Sequence, residues 1–552
     1  MNTTQPDAQV LVVGAGPTGL VLAAELLARG IRTRVIDKGD GVALQARAVG
    51  IHARTLEVLD TMGLADSFIE RGQVVRQLRF YSRARCLTSL EFARCGSRFG
   101  YLLDLPQDQT ERLLRARIAE LGGAIEQRTE LTSLTPGAGA VTATVRRPAG
   151  QTQTITAGYV VGCDGAHSRV RRELGLTFHG HPYPQDWLLA DVLLDGDLPD
   201  RGLREDAIHA FFRPDGLPVI FFPMRGHRWR LTLPFAGERG DQAPTLAEIQ
   251  HLTSQRAPRP VTVSDPTWLA SFRCHRRSAS AYRRGRVLLA GDAVHIHSPA
   301  GGQGLNTGML DGHNLGWKLA LVASGRAPDT LLDSYGAERG PVAEKVVGLT
   351  HALGHYGTLT HPVKRRVRDV VVPALGRSAA IQRRAARRIS QVYVSYPPGG
   401  QRMPDISVHV GGRAATLHQV LRDGRHVLVV PGASSLTGLD GLAPYRDDLV
   451  VVTAPDTGLV VLVRPDGHVA ARGRPGRMPA VTGYLRGLFG EPGSVPAARP
   501  GPDVHALALR PEQGQHFGGL RPVAAEPVRD AGVELGGFAR LHDEVVLGEP
   551  QP

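Results

Sequence analysis

The chain has 552 residues, 42% of them hydrophobic, and a formal net charge of +13. That length predicts two or three domains with large cores, and no apolar run approaches the roughly 18 residues of a membrane span. The basic excess is almost all arginine, the lysines being Lys38, Lys318, Lys345 and Lys364, so it reads as a coding bias and not as the footprint of a nucleic-acid partner. Cys86, Cys95, Cys163 and Cys274 have no CxxC spacing, which argues against a disulfide framework or a zinc site. The opening segment, Met1 to Asp7, lacks the basic and apolar regions of a signal peptide, so a cytoplasmic protein is expected.

The first elements read strand, turn, helix, strand. Gln9–Val13 is apolar, Gly14–Gly19 is glycine-rich, Leu20–Ala28 has helical apolar content, and Gly30 ends it. Thr33–Ile36 is a β-branched run closing on Asp37. Such a βαβ unit predicts the α/β class with a parallel sheet. Leu105-Pro106-Gln107 precedes a predicted helix at Glu111–Leu121, and Tyr159–Gly162 runs into Cys163-Asp164-Gly165-Ala166-His167-Ser168-Arg169. From about Pro182 to Arg273 short strands alternate with Gly/Pro turns, as at Ala210–Arg213, Pro218–Phe222 and Trp229–Leu233, which predicts an inserted, mostly antiparallel sheet. Arg286–Ala290 returns to a buried parallel-type strand before Gly291-Asp292 and the loop from Pro299 to Asn306. Nine basic residues and one acid, Asp369, lie between Lys364 and Arg388, in the manner of a solvated helix face. Pro397 to Gly400 reads as a linker into a further domain with strands at Val427–Val430, Leu449–Thr453 and Leu459–Arg464. From Glu491 the tail is rich in Pro and Gly. The expected division is 1–181 and 274–396 for the two parts of the first domain, 182–273 for the inserted sheet, 397–490 for a C-terminal domain and 491–552 for the tail.

Gly14-Ala15-Gly16-Pro17-Thr18-Gly19 fits GxGxxG. The first glycine permits a tight turn, the second lets backbone approach a pyrophosphate, and the third lets helix and strand pack closely. The helix N-terminus offers free N–H groups to the phosphates. Asp37 stands about 20 residues on, where an acid binds the adenosine ribose. The loop alone does not separate NAD from FAD.

Together with the Cys163-Asp164-Gly165 and Gly291-Asp292 segments, the loop resembles the single-component flavin hydroxylases related to para-hydroxybenzoate hydroxylase and phenol hydroxylase. Over about the first 340 residues it is most similar to the bacterial polyketide-tailoring hydroxylases. The resemblance implies a Rossmann-like FAD domain, the inserted sheet as substrate domain, and a thioredoxin-like C-terminal domain. It implies noncovalent FAD held by Gly14, Gly16, Pro17, Thr18, Gly19, Asp37 and Lys38, with Gln107 and Asp292 on the ribityl chain and Arg47 on the flavin. Gly302, Gly304, Leu305 and Asn306 match the loop that lies against the pyrimidine end of the ring. Pro299 matches the residue whose carbonyl is near the reacting centre, and Asp164 with Arg169 the segment linked to FAD support and transient NAD(P)H binding. No second GxGxxG is present, so the nicotinamide is expected to visit the flavin and leave.

The chemistry so implied is reduction of FAD by hydride, addition of O2 at C4a, and attack by the resulting hydroperoxide on an electron-rich aromatic or polycyclic ring. No metal is required, and no side chain is nominated as a catalytic base. His295 and His297 read as packing or capping residues, since no third ligand accompanies them. Apolar walls for a flat substrate are expected from Phe211, Phe212, Phe221, Phe222, Met224 and Trp229, with only one of each adjacent Phe pair facing the ligand. The alternatives on the same scaffold are Baeyer–Villiger oxidation of a ketone and a flavoprotein dehydrogenase that inserts no oxygen. Arg464-Pro465-Asp466-Gly467 resembles a strand turn of the phenol hydroxylase extension. With no cysteine beyond Cys274, a structural or interface role is expected there, and a homodimer is compatible with the sequence.

Overall fold

The computed structural model describes residues 5–490 apart from 43–47, 83, 196–202, 236, 238, 240–241, 258, 299–300, 358, 398–399, 433–438 and 456. Arg47, Pro299 and the 491–552 tail lie outside the described residues.

The fold is α/β. Strand β1 (Ala8–Val13) leads through the glycine loop into helix α1 (Pro17–Ala28) and back to strand β2 (Thr33–Ile36). β1 lies between β2 and the Thr152–Gly162 strand, and the latter also pairs with Val287–Leu289, all in parallel. Ile125–Glu126 extends the same sheet beyond β2. β1 and 287–289 are short apolar runs, buried throughout except for the half-buried Gln9, as expected for a parallel sheet covered on both faces. Two helices, α1 and Gly304–Ala323, cross backbone to backbone. A Cβ on Gly312 would lie 2.7 Å from the Thr18 carbonyl oxygen and 3.1 Å from the Leu22 nitrogen, and one on Gly316 would lie 2.6 Å from the Glu25 Cβ.

The second sheet has eight strands, in the order His295–Ile296, Thr262–Ala279, Phe178–Asp195, Arg228–Phe235, Val219–Met224, Ala207–Phe212, Gln77–Ser82 and Arg85–Glu91. It is antiparallel except where Ala207–Phe212 runs parallel to Gln77–Ser82. The predicted short strands are all present. The sheet also takes in 77–91, a non-local pairing that local pattern does not reveal.

Six strands near the C-terminus form a third sheet, with His426–Val430 and Leu449–Thr453 parallel at its centre and Val460–Val463 and Val469–Gly473 continuing antiparallel, the thioredoxin-like arrangement. The Arg464-Pro465-Asp466-Gly467 turn joins the last two strands, and its charges are buried against the first domain. Arg464 donates to both oxygens of Glu338 (2.6 and 2.9 Å), and Lys318 donates to the same carboxylate (2.8 Å). Asp466 pairs with Arg464 and accepts from Asn314 (3.1 Å), while Arg54 donates to the Asp466 carbonyl (2.6 Å). Trp317 of the 304–323 helix packs into the C-terminal core with Leu428 and Leu462. The turn thus ties the C-terminal sheet to the first domain.

The helices Pro362–Gly376 and Ala379–Ile389 carry the basic run, and Val363, Val367, Val370 and Val371 are exposed beside it.

Two stability measurements test this packing. Arg464→Ala leaves Glu338 and Asp466 buried without their main cation, and thermal or urea unfolding should show a loss of roughly 3–5 kcal/mol. Gly312→Val forces a side chain into the α1 backbone and should cost at least about 1–3 kcal/mol. Gly348→Ala, on an exposed helical position with nothing within 4 Å of the added methyl, should instead stabilise by about 0.4–1 kcal/mol.

Candidate active site

Four sequence motifs meet at the carboxyl ends of the parallel strands, the edge where open α/β sheets bind ligands. Gly14 follows β1, Asp37 follows β2, Cys163-Asp164 follows Thr152–Gly162, and Gly291-Asp292 follows Val287–Leu289. The glycines divide as their spacing predicts. Gly14 has φ +106°, and a Cβ there would lie 2.6 Å from the Cys163 carbonyl carbon and 2.9 Å from the Asp164 Cα. A Cβ on Gly19 would collide with the Gly14 carbonyl oxygen. Gly16 is different: a Cβ there meets nothing within 4 Å. The loop is packed tightly beneath and open above, and the open space borders the first N–H groups of α1, which have no partners inside the helix. That is the cradle a pyrophosphate needs.

The side chains around this rim have distinct duties. Asp37 accepts the Ala15 N–H (2.6 Å) and the Gly39 N–H (2.7 Å), so it shapes the loop as well as bordering it. Lys38 is exposed. Pro17 opens α1, and the Thr18 hydroxyl is wedged against Gly291 and Gly308, which leaves its backbone for the rim. Asp164 caps the Arg169–Glu173 helix, accepting from Ser168 Oγ (2.5 Å), Arg169 N (2.6 Å) and Val170 N (3.1 Å). Arg169 is exposed and pairs with Glu173. Asp292 is exposed between buried Gly291 and Ala293, and Gln107 begins its helix with its amide on Glu111 (2.9 Å). One residue at this rim escaped the sequence reading: Arg115 reaches the Ala15 and Gly41 carbonyls (3.4 and 3.1 Å) and brings a positive charge beside the cradle.

The loop before the 304–323 helix is held from below by a buried polar network. His52 Nε2 donates to the Gly301 carbonyl (2.8 Å), and burial lowers this imidazole to about 4, so it is neutral at pH 7. Gln303 also reaches the Gly301 carbonyl (2.9 Å) and receives Gln391 (2.5 Å). The Asn306 amide donates to the Gly50 and Gly302 carbonyls (both 2.8 Å) and accepts the His52 N–H (2.8 Å). Asn306 is therefore a strut, and Gly302, at φ +63°, Gly304 and Leu305 are the half-buried surface it supports. Deeper still, Asp311 binds His295 Nε2 and Arg339 Nε, each at 2.7 Å. Burial acts to raise the Asp311 carboxyl, but Arg339 and His295 outweigh it and hold the group below its ordinary value. His297 Nδ1 meets the Ser298 carbonyl (2.9 Å), and burial lowers this ring to about 4.

The eight-stranded sheet presents two faces. Phe211, Phe221 and Trp229 point away from the first domain, into a core closed by Ile249 of the Leu246–Arg256 helix. All three are nearly inaccessible, so the expectation that they wall a substrate pocket is corrected: alternation along the strands assigns them to the rear core. The other face turns towards the first domain. Ile220 and Phe222 pack against its core, Met224 follows two residues on, and Phe212 stacks on Phe80 at 5.7 Å beneath Arg368. Arg230, directly opposite Phe222, forms a two-pronged ion pair with Asp191 (2.7 Å each) and lies over the Trp268 ring.

Residues 7–350 match the family described as FAD binding domain, and residues 396–492 match the family described as aromatic-ring hydroxylase, C-terminal. The chain is 36% identical to 6-methylpretetramide 4-monooxygenase of Streptomyces rimosus, over 90% of this chain and 97% of that protein. It is 35% identical to a rifampicin monooxygenase of Streptomyces venezuelae, over 84% and 95% of the two chains. Among solved structures, the anhydrotetracycline hydroxylase OxyS of Streptomyces rimosus superposes with a TM-score of 0.76 at 33% identity, covering 88% of this chain and 99% of that one. The chain belongs to the FAD-dependent aromatic hydroxylases and is a flavin-dependent monooxygenase with NAD(P)H as its co-substrate.

Proposed function

We propose that this enzyme hydroxylates a polycyclic phenolic substrate of the polyketide type, taking the oxygen atom from O2. The observation that carries the reading is the open Gly16 cradle at the carboxyl edge of the parallel sheet, beside Asp37 and Asp292, with Phe222 of the second sheet packed against the core of the same domain. A flat apolar substrate fits walls of this kind, and the relatives described above are named for oxidations of tetracycline-type and rifamycin-type molecules.

In this reading Gly16 with the α1 N-terminus and Arg115 hold the pyrophosphate, Asp37 the adenosine ribose, and Asp292 and Gln107 the ribityl chain. Arg47 and Pro299 keep the flavin and reacting-centre roles that the family resemblance implies. When bound, FAD supplies the redox chemistry and the activation of O2. The protein's part is to orient the ring, exclude water and supply fixed dipoles. The N-terminus of the 304–323 helix has N–H groups without partners inside the helix, which would stabilise negative charge on the bound cofactor. The neutral His52 and the Gln303 and Asn306 amides keep those groups in position without adding charge of their own. The division at 182–273 and 397–490 would give substrate contact to the inserted sheet and a docking role to the C-terminal domain. A cytoplasmic location accords with the use of NAD(P)H, and no described helix is long and apolar enough to cross a membrane.

Because the Gly16 site is open, Gly16→Val should leave far-UV circular dichroism unchanged while FAD affinity falls at least roughly tenfold, or about 1.4 kcal/mol. A purified variant with full flavin occupancy would show that the cradle has been misassigned. In turnover with labelled O2, one labelled atom should appear as a ring hydroxyl of a polycyclic phenol, with NAD(P)H oxidation accelerated by that phenol. A labelled lactone or ester would indicate Baeyer–Villiger insertion instead, and an unlabelled oxidised product would refute oxygen transfer.

A further inference from the structure

Asp104 is an anomaly in the middle of a sheet. It sits on the Leu102–Asp104 strand, between Gly50–Ile51 and Gln73–Val75, where aspartate is disfavoured. The residue is 1% exposed, and neither carboxyl oxygen has a hydrogen-bond partner among the described residues. Among the described residues no other carboxyl group is buried with both oxygens unpaired. Leaving such a group unmet costs on the order of 1–3 kcal/mol, so its retention calls for a partner that the protein itself does not supply.

Its neighbours show where that partner would lie. A Cβ on Gly50, the residue directly across the strand pair, would come within 3.5 Å of Asp104 Oδ1. The Gly50 carbonyl accepts from Asn306, so Asp104 is one strand removed from the 301–306 loop. On the other side, strand Val219–Met224 packs against Leu102–Asp104. The positive charge of Arg230, opposite Phe222, is felt at Asp104. Asp104 thus stands where the cofactor loop, the apolar sheet face and the Arg230–Asp191 pair converge.

We propose that Asp104 is the substrate-recognition group of this enzyme, its carboxyl pairing with the adjacent hydroxyl and carbonyl oxygens on the edge of a polycyclic phenolic ketone. A protonated carboxyl carries one donor and one acceptor side by side, the complement of a hydroxyl next to a carbonyl. Burial holds the Asp104 carboxyl well above the ordinary carboxylate range, and Arg230 opposes this only in part. That guanidinium is already committed to Asp191 on both prongs. The protonated group donates its proton to the ligand carbonyl and accepts from the ligand hydroxyl, and no proton is transferred. This assignment rests on the polycyclic phenolic substrate class proposed above.

The test uses oxidised holoenzyme without NAD(P)H. The probes are 1,8-dihydroxyanthraquinone and anhydrotetracycline, titrated by the change in flavin absorbance, with FAD content and unfolding temperature recorded for each variant. Asp104→Leu removes both the donor and the acceptor and should weaken probe binding roughly ten- to a hundredfold. Its unfolding temperature should be unchanged or raised, because a buried unpaired acid has gone. Asp104→Asn keeps a donor and an acceptor side by side and should bind within roughly threefold of wild type. Wild-type binding should be lost as pH rises through the elevated carboxyl value, since the ionised form has no donor, whereas Asp104→Asn should show no such loss. The sign for stability agrees. A carboxyl with a raised folded-state value destabilises increasingly above its unfolded value, so the advantage of Asp104→Asn should grow with pH.

Unchanged probe affinity in Asp104→Leu would overturn the assignment and leave the substrate class standing. So would a loss of binding in Asp104→Asn as large as in Asp104→Leu, or a fall in unfolding temperature in both variants. If wild type binds neither probe, the substrate class itself fails, and the assignment with it.

Discussion

The geometry of this enzyme depends on the contact between α1 and the Gly304–Ala323 helix. Each of these helices begins at a glycine-rich loop, and the loops are brought side by side because the helices come within a backbone's width. Gly308, Gly312 and Gly316 make that approach possible at intervals of four residues, lying against Thr18, Leu22 and Glu25. The Thr18 hydroxyl is caught between Gly308 and Gly291, so the two loops and the Gly291-Asp292 turn are fixed by one small seam. Any side chain larger than hydrogen at these positions would push the two helices, and with them the two loops, apart.

Charge is handled in the same economical way. The helices and turns around the seam contain many buried ionisable groups, and nearly all are locally paired. Asp311 is shared between His295 and Arg339, and Arg339 also donates to the Thr307 carbonyl in the first helical turn (3.1 Å). Glu25 stays ionised although burial opposes it, held down to about 2 by Arg29 and His313. The C-terminal domain docks by the same means. Asp60 of the first domain meets His418 across the junction, beside Asp405 of the C-terminal domain, with Arg98 and Arg422 balancing the charge. Buried pairs of this kind contribute little net stability, but breaking one is costly. They therefore fix orientation more than they add strength. Against that background the unpaired carboxyl of Asp104 stands out.

The eight-stranded sheet shows how one strand serves two purposes. Phe221 and Trp229 anchor the rear core, while Phe222 and Arg230, their sequence neighbours, look towards the cofactor domain. The period of two along a strand makes this separation automatic. Rear-face residues set the rigidity of the wall, and front-face residues set what it contacts.

The sequence alone determined the elements of the first βαβ unit, the inserted strands and the C-terminal strands, because each is encoded by local periodicity or by a short glycine pattern. The cofactor roles of the Cys163-Asp164-Gly165 and Gly291-Asp292 segments and the thioredoxin-like character of the extension were instead implied by family resemblance. Gly14, Gly16 and Gly19 could be given separate duties before any coordinates, since strand, turn and helix leave little freedom for where each points. Tertiary structure decided which of Phe211, Phe221, Phe222 and Trp229 faces the first domain, because every one of them is apolar and only the packing partners of each face tell them apart. It also decided that Asp164 caps a helix, that Asn306 and His52 support a loop, and that Arg115 reaches the cradle from a helix about 100 residues away in sequence. Asp104 could not be recognised from sequence at all. An aspartate beside Leu-Pro-Gln looks like any other until its burial and the commitment of Arg230 to Asp191 show that none of the described residues satisfies it. Hydrogen-bond satisfaction is a property of three-dimensional neighbours, and sequence spacing does not contain it.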